Sequence, residues 1–253
     1  MSPSHLRPLL QELLIHPNPA VLATLVEVRG STYRRPGARM VLHPDGSQAG
    51  VISAGCLEQD LAARVVAVIE SDRPQLVQYD LGSELDLVWG TGMGCQGEAT
   101  ILLSPVCLAN SPLPWASRVL QALEERRSGV LLTCFASPDP GRVGVVTWWD
   151  PDLSHPHLDP APLEAARRVL AAGRPEILEL GEDRILAEPL LPPPALFLFG
   201  AGEPCRPLAT LAQSLGWDVG ILDHRPALAH PDRFPGARWV ASGAPVTLAA
   251  EVR

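Results

Sequence analysis

The chain has 253 residues, 46% of them hydrophobic and 19% charged, with a formal net charge of −8 at pH 7. That length allows one or two domains with cores of their own, and the negative balance argues against nucleic acid or acidic lipid as a partner, because both require a basic surface. All 20 basic residues are arginine, which excludes Schiff-base chemistry on lysine and a P-loop lysine and leaves arginine as the only fixed side-chain cation for a phosphate or carboxylate.

The five cysteines (56, 95, 107, 134 and 205) form no CxxC pair and suggest no disulfide framework. There is no signal-like apolar core at the N-terminus and no apolar run of membrane-spanning length. The expectation is a cytoplasmic protein with free thiols and no membrane association.

In chain order, Leu6–Ile15 predicts a short amphipathic helix closed by the proline-rich HPNP. Ala20–Arg29 predicts a strand, followed by the loop GSTYRRPG, Gly30–Gly37. Ala38–His43 and Gln48–Ser53 flank the turn HPDGS and predict a hairpin. A single helix is expected from Cys56 to Glu70, with Leu57, Leu61, Val65 and Val68 on one face, and a strand at Gln75–Leu81. Glycines 82, 90, 92, 94 and 97 crowd the next stretch. Strands follow at Glu98–Ser104, Val130–Ala136, Val143–Trp148, Glu176–Leu180 and Arg184–Glu188, with helices at Trp115–Arg126 and Pro162–Ala172. EPLLPPP, Glu188–Pro194, reads as a linker, since consecutive prolines cannot enter a sheet ladder. The expected organisation is a mixed α/β domain over 1–188, a proline-rich linker over 189–194 and a second domain over 195–253.

That second domain opens with ALFLFGAGEPCRPLATLAQSLGWDVGILDHR, Ala195–Arg225. Ala195–Phe199 is a continuous apolar run, as in a parallel strand covered on both faces. Gly200 and Gly202 supply a tight turn, and Pro204 suits the first turn of a helix. Leu208, Leu211, Ala212 and Leu215 fall on one face of that helix, which Gly216 stops. Val219–Leu222 is the second strand, and Asp223 stands where a dinucleotide-binding fold puts a ribose-binding carboxylate.

Three other glycine-rich stretches carry candidate chemistry. Arg34 and Arg35, on the short Gly30–Gly37 loop, suit a bidentate phosphate clamp or else belong to a solvated turn. Cys56 sits at the expected start of a helix, where unpaired N–H groups favour thiolate; alternatively it is a small residue packed under the turn. Glu58 there complements the helix dipole. In WGTGMGCQGE, Cys95 lies among Gly90, Gly92, Gly94 and Gly97, glycines that allow positive φ and bring backbone N–H groups close to a ligand. Cys107 and Cys134 fall on expected strands and read as core residues. The seven histidines show no zinc spacing, and no nucleophile elbow or general acid–base pair is evident.

The segments GSTYRRPGARM (30–40), GVISAGCLEQDLAARV (50–65), LDLVWGTGMGCQGEATILLSP (85–105) and LFLFGAGEPCRPLATLAQSLGWDVGILDHRP (196–226) together resemble the XdhC/CoxI family, the xanthine dehydrogenase accessory proteins. The resemblance implies an N-terminal α/β domain followed by a Rossmann-like domain with a parallel sheet. It further implies a non-catalytic maturation factor, a chaperone that holds the molybdenum cofactor (molybdopterin or its dinucleotide form) during sulfuration by a cysteine desulfurase partner and delivers it to an apo molybdenum hydroxylase of the xanthine or carbon monoxide dehydrogenase type. By position, Cys56 and Cys95 become candidate molybdenum or sulfur contacts, Arg34 and Arg35 candidates for the pterin phosphate, Gly92 and Gly94 part of the cofactor loop, and Gly200, Gly202 and Asp223 a nucleotide-like site. Cys205 replaces the third glycine of a dinucleotide fingerprint, and Arg225 beside Asp223 blurs a choice between NAD and NADP. The sequence ends at Arg253, whereas a full doubly wound domain needs well over about 100 residues; the Rossmann-like domain is therefore expected to be incomplete and to associate into a homo-oligomer through its open sheet. The alternative is an NAD(P)-dependent oxidoreductase using the same glycine turn.

Overall fold

The computed structural model describes residues 3–15, 18–81, 97–106, 113–153 and 160–244. Backbone contacts divide the chain into two compact units, Met1–Leu191 and Pro192–Arg253.

Among its described residues the first unit contains two antiparallel sheets. One is five-stranded, in the order β3-β2-β1-β5-β4, built from β1 (Ala20–Gly30), β2 (Arg39–Leu42), β3 (Gln48–Gly50), β4 (Gln75–Asp80) and β5 (Gly97–Val106). The other is four-stranded, in the order β7-β6-β9-β8, from β6 (Gly129–Ala136), β7 (Val146–Trp149), β8 (Glu176–Leu180) and β9 (Asp183–Leu190). Among the described residues, five helices accompany them: α1 (Pro3–Ile15), α2 (Glu58–Ala63), α3 (Val65–Ser71), α4 (Pro114–Glu124) and α5 (Pro160–Ala172). β9 runs through Pro189 to Leu190, so the start of the expected linker is strand.

Alternation along β1 explains the layering. Val21, Ala23 and Leu25 face α2 and α3, packing with Leu57, Leu61, Val65 and Val68, while Leu22 packs with α1 and α4. α5 covers the outer side of the second sheet, with Ala165, Ala166 and Val169 against Val130, Leu132 and Ile185. A bulge between Leu25 and Glu27 then reverses the phase of β1. Val28 takes over the α2–α3 side, and Glu27 becomes free to accept from Arg184 Nη2 of β9 at 2.8 Å. Arg184 also lies 5.0 Å from the Phe135 ring, and Val26, Leu102, Phe135 and Leu186 fill the space between the sheets.

A second ionic tie between the sheets is fully buried. Arg39 of β2 and Glu188 of β9 each have a side chain 1% exposed. Arg39 Nη1 donates to Glu188 Oε1 at 3.0 Å, Nη2 donates to Oε2, and Nη1 also donates to the Gly37 carbonyl at 3.0 Å. The bidentate fork satisfies both charges, which is the condition for tolerating them in a core.

The expected single helix over Cys56–Glu70 is corrected to two. At Arg64 the N–H bonds the Leu61 carbonyl three residues back, at 3.2 Å, and the chain turns between α2 and α3. The apolar spacing survives the break because Leu61, Val65 and Val68 still face β1.

The second unit holds the one parallel sheet among the described residues: β10 (Ala195–Phe199), β11 (Asp218–Asp223) and β12 (Trp239–Ser242), in that order. Helix α6 (Cys205–Ser214) joins the first two strands and buries Ala209 and Ala212 against Val219 and Ile221. Of the residues expected on one face, Ala212 is buried, whereas Leu208 and Leu211 of the helix and Leu215 at its C-cap are 45%, 59% and 61% exposed. The small alanines on the adjoining side let the helix approach the sheet closely, which leaves the leucine stripe outward.

Candidate functional site

Two of the glycine-rich stretches separate in the sequence meet in the first unit. β1 ends at Gly30, with φ of 73°, directly paired with Gly97 at the start of β5. The Gly30–Gly37 loop leaves from that pair and returns where Gly37 N–H donates to the Leu25 carbonyl at 2.8 Å. Inside it, Thr32 Oγ1 donates to the Arg34 carbonyl at 2.6 Å. The connection from β3 to α2 runs alongside, and Arg34 Nε reaches its Val51 carbonyl at 3.4 Å. Thr32, Tyr33 and Arg34 from one loop and Ser53, Ala54 and Cys56 from the other line a single pocket, floored by Leu25, Ile52, Leu57, Leu81 and Ala99.

The pocket therefore brings Arg34 and Cys56 together. Arg35 is exposed and lies outside the lining. Cys56 is an exposed free thiol. It sits in a turn ahead of α2, whose N-cap is Leu57 and whose first residue is Glu58, so the expected placement at the helix start is corrected. Glu58 does not simply complement the helix dipole either. Its carboxylate, 9% exposed, turns back to accept from Ser53 N–H at 2.7 Å, Ile52 N–H at 3.3 Å and the Ser53 hydroxyl.

Cys95, Gly92 and Gly94, like Cys107, lie outside the described residues. The positions that bound the glycine-rich stretch are described: Leu81, in the pocket wall, donates its N–H to the Gly97 carbonyl at 2.8 Å. Gly97 itself has a packing reason to be glycine. A Cβ there would stand 2.5 Å from the Arg29 carbonyl oxygen and 2.8 and 2.9 Å from Ser31 O and N. Cys134 is buried, and burial pushes its thiol pKa up, with the Asp183 carboxylate adding to the effect.

In the second unit Gly200, with φ of 120°, opens the turn after β10, and its N–H donates to the Leu222 carbonyl at 2.7 Å. The Cys205 thiol donates to the Gly200 carbonyl at 3.0 Å, placing the residue that replaces a third glycine beneath the turn. A Cβ on Gly202 would meet only Pro204 Cδ, at 3.7 Å. Asp223 is 3% exposed and its acceptors are already engaged. Oδ2 accepts from Ala201 N–H at 2.7 Å and Arg225 Nη2 at 2.9 Å; Oδ1 accepts from Arg225 N–H at 2.8 Å and Nε at 3.0 Å. Four donors fill the approximately four acceptor positions of a carboxylate. Asp223 thus staples the glycine turn to β11 and holds no acceptor open for a ribose hydroxyl.

The Arg225 side chain, then the Arg225 and Ala201 N–H groups, hold the Asp223 carboxyl well below the ordinary carboxylate range. With the folded value depressed, its contribution to stability is fully present above the unfolded value of about 3.9 and is lost as the pH falls below it. Asp223→Asn should start with a lower melting temperature at pH 7 and then fall less steeply than the wild type between about pH 4 and pH 2. Equal slopes in melting temperature against pH would contradict this assignment.

Sequence reasoning missed Arg39, Glu188 and the Ser53–Glu58 contact. An arginine inside the apolar run Ala38–Leu42 was a usable signal, because a charge in a buried strand demands a partner. Among the described residues no group of three or more His, Cys, Asp or Glu could hold a metal ion, and no helix is long and apolar enough to cross a membrane.

These features define a two-unit α/β protein with a thiol–guanidinium pocket between glycine-bounded loops of its first unit. Residues 15–80, which contain both pocket loops, match the XdhC and CoxI family. The chain is 31% identical over 254 residues to a Bacillus subtilis (strain 168) protein named as a probable subunit of xanthine dehydrogenase, covering 96% of this chain and 71% of that protein. It is 36% identical over 117 residues to the molybdenum cofactor insertion chaperone PaoD of Escherichia coli (strain K12), covering 46% of this chain and 34% of that protein. A crystal structure described as a xanthine dehydrogenase from Bacillus halodurans aligns with a TM-score of 0.76 at 30% identity, over 100% of this chain and 71% of that one. The chain belongs to the XdhC and CoxI family.

Proposed function

We propose that this protein is a maturation factor for a molybdenum hydroxylase, carrying the molybdenum cofactor as cargo in the pocket of its first unit. The observation that supports this most directly is the shared pocket of Arg34 and Cys56. A thiol is a soft donor suited to molybdenum or to sulfur transfer, and a guanidinium suits the cofactor's phosphate. The donor set fits: the cation and the exposed thiol stand over an apolar floor, and the neighbouring Glu58 carboxylate is turned inward onto its own donors rather than toward an anionic ligand. The name of the Escherichia relative, a molybdenum cofactor insertion chaperone, points the same way, and that of the Bacillus relative links it to xanthine dehydrogenase.

On this reading Cys56 and Cys95 handle molybdenum or its sulfido ligand while a cysteine desulfurase supplies sulfur, Arg34 and Arg35 bind phosphate, Gly92 and Gly94 belong to the same cofactor loop, and an apo hydroxylase receives the product. The cofactor is molybdopterin or its dinucleotide form, and the setting is cytoplasmic. The second unit, reached through the prolines of 189–194, is read as Rossmann-like on the strength of its parallel β10-β11-β12 sheet and glycine turn, with its exposed leucines favouring a homo-oligomer. Use of Gly200, Gly202 and Asp223 for NAD(P) oxidoreduction is the weaker reading, since the four acceptor positions of Asp223 are engaged within the chain.

Expression in cells that make the cofactor tests the proposal. Purified wild-type protein should carry near-stoichiometric molybdenum and oxidised-pterin fluorescence. Cys56→Ala and Arg34→Gln should each lower both by about tenfold or more, with melting temperatures near wild type; for Arg34 the loss is that of a charge-assisted hydrogen bond, about 1.5–3 kcal/mol, and about 1.4 kcal/mol is tenfold. Wild-type protein free of pterin and molybdenum would overturn it.

A further inference from the structure

Between β3 and α2 the chain wraps around one buried hydroxyl. Ser53, 4% exposed, accepts at Oγ from Gly55 N–H and Leu57 N–H, both at 3.1 Å, and donates to Glu58 Oε2. Glu58 Oε1 closes the ring from the other end through Ser53 N–H and Ile52 N–H. The amides of Ile52, Ser53, Gly55 and Leu57 are thereby drawn inward. Cys56, between the last two, keeps its side chain exposed at the pocket.

Helix capping does not account for this arrangement. α2 has six residues, its N-cap Leu57 provides no side-chain cap, and Glu58 reaches back past the cap to Ile52, two residues beyond β3. A desolvated carboxylate is costly to place under a surface loop, and what it fixes here is the path of the chain on either side of Cys56.

We propose that Ser53 and Glu58 are positioning residues for Cys56: the Glu58 carboxylate and the Ser53 hydroxyl form a clamp that holds the Cys56 thiol at the pocket beside Arg34. Their importance for cargo rests on the reading of Cys56 as the ligand-facing thiol; the clamp itself does not. Glu58→Gln is close to isosteric but sets an amide donor against the donors of Ser53, and Ser53→Ala removes the hydroxyl at the centre of the loop.

The test measures two quantities on the full-length protein: the rate of Cys56 alkylation by iodoacetamide in cargo-free protein, followed by peptide mass spectrometry, and molybdenum–pterin occupancy after expression. Each variant should alkylate at least threefold faster than wild type, because the loop that holds Cys56 is released. The double variant should alkylate no faster than the faster single one, as for residues acting as one unit. Occupancy should drop about tenfold in each, and adding Glu58→Gln to Cys56→Ala should cause no further loss. An additional loss in the Cys56→Ala background would mean that Glu58 acts other than through Cys56 and would overturn the positioning role. Wild-type alkylation rates in both single variants would overturn the clamp. Faster alkylation in the variants together with a cargo-free wild type would uphold the clamp and discard the cofactor reading alone.

Discussion

Replacing Glu188 by alanine is expected to destabilise the first unit by about 3–5 kcal/mol, read as a shift of the urea midpoint, because it leaves the Arg39 guanidinium buried without its counter-charge. Both side chains are 1% exposed and share a bidentate contact, so neither solvent nor another described acidic group stands ready to replace the lost partner. Domains of this size are stable by only about 5–15 kcal/mol, and the variant should be close to unfolding at physiological temperature. The paired apolar exchange Arg39→Met with Glu188→Leu should recover most of the loss, since desolvation of two charges offsets much of their attraction. It should not recover everything. Arg39 Nη1 also holds the Gly37 carbonyl, at the point where the Arg34 loop rejoins the sheet, so the double variant should retain stability but show reduced cargo occupancy. Equal midpoints for Glu188→Ala and wild type would contradict the buried-pair assignment.

The Arg39–Glu188 pair also shows where sequence reading runs out. The strands were legible because their signal is local: the continuous apolar run of β10 and the HPDGS turn between β2 and β3 read directly as elements, and both are observed. Arg39 and Glu188 stand 149 positions apart, and nothing in either neighbourhood names the other. The helix after Cys56 was half legible. Its 3.6-residue apolar spacing was real, but spacing cannot register a change of bonding partner at Arg64 or a carboxylate that folds back to Ser53. For α6 the same periodicity misled, because an amphipathic pattern marks one apolar face and does not say which of two adjoining faces, leucine or alanine, the sheet can approach more closely. The candidate site divided in the same way. Arg34 and Cys56 were recognisable as residue types in glycine-rich loops, whereas their meeting in one pocket depends on the register of β1 with β5 and on the hairpin that brings the β3 loop alongside.

That register leads to the second large effect. Gly97→Ala is expected to lower stability by about 3 kcal/mol, at the upper end of overpacking costs, although its backbone has no positive φ to strain. The added methyl group would stand 2.5–2.9 Å from Arg29 O, Ser31 O and Ser31 N. These are backbone atoms, and they cannot rotate away as a side chain would. Relief requires β1 and β5 to separate at the Gly30–Gly97 pair, where the Arg34 loop leaves the sheet and where the Leu81 N–H meets the Gly97 carbonyl. The damage is thus predicted to fall on the pocket before the rest of the fold: amide exchange at Ser31 and Leu81 should accelerate, and cargo occupancy should fall at temperatures where the sheets remain folded. Gly46→Ala is the matched control. Gly46 has φ of +85° with nothing within 4 Å of a Cβ, so its substitution carries only the left-handed backbone cost of about 1–2 kcal/mol and should leave occupancy unchanged. If the two alanine variants were equally stable and equally loaded, the close crossing of β1 and β5 would not be what reserves position 97 for glycine.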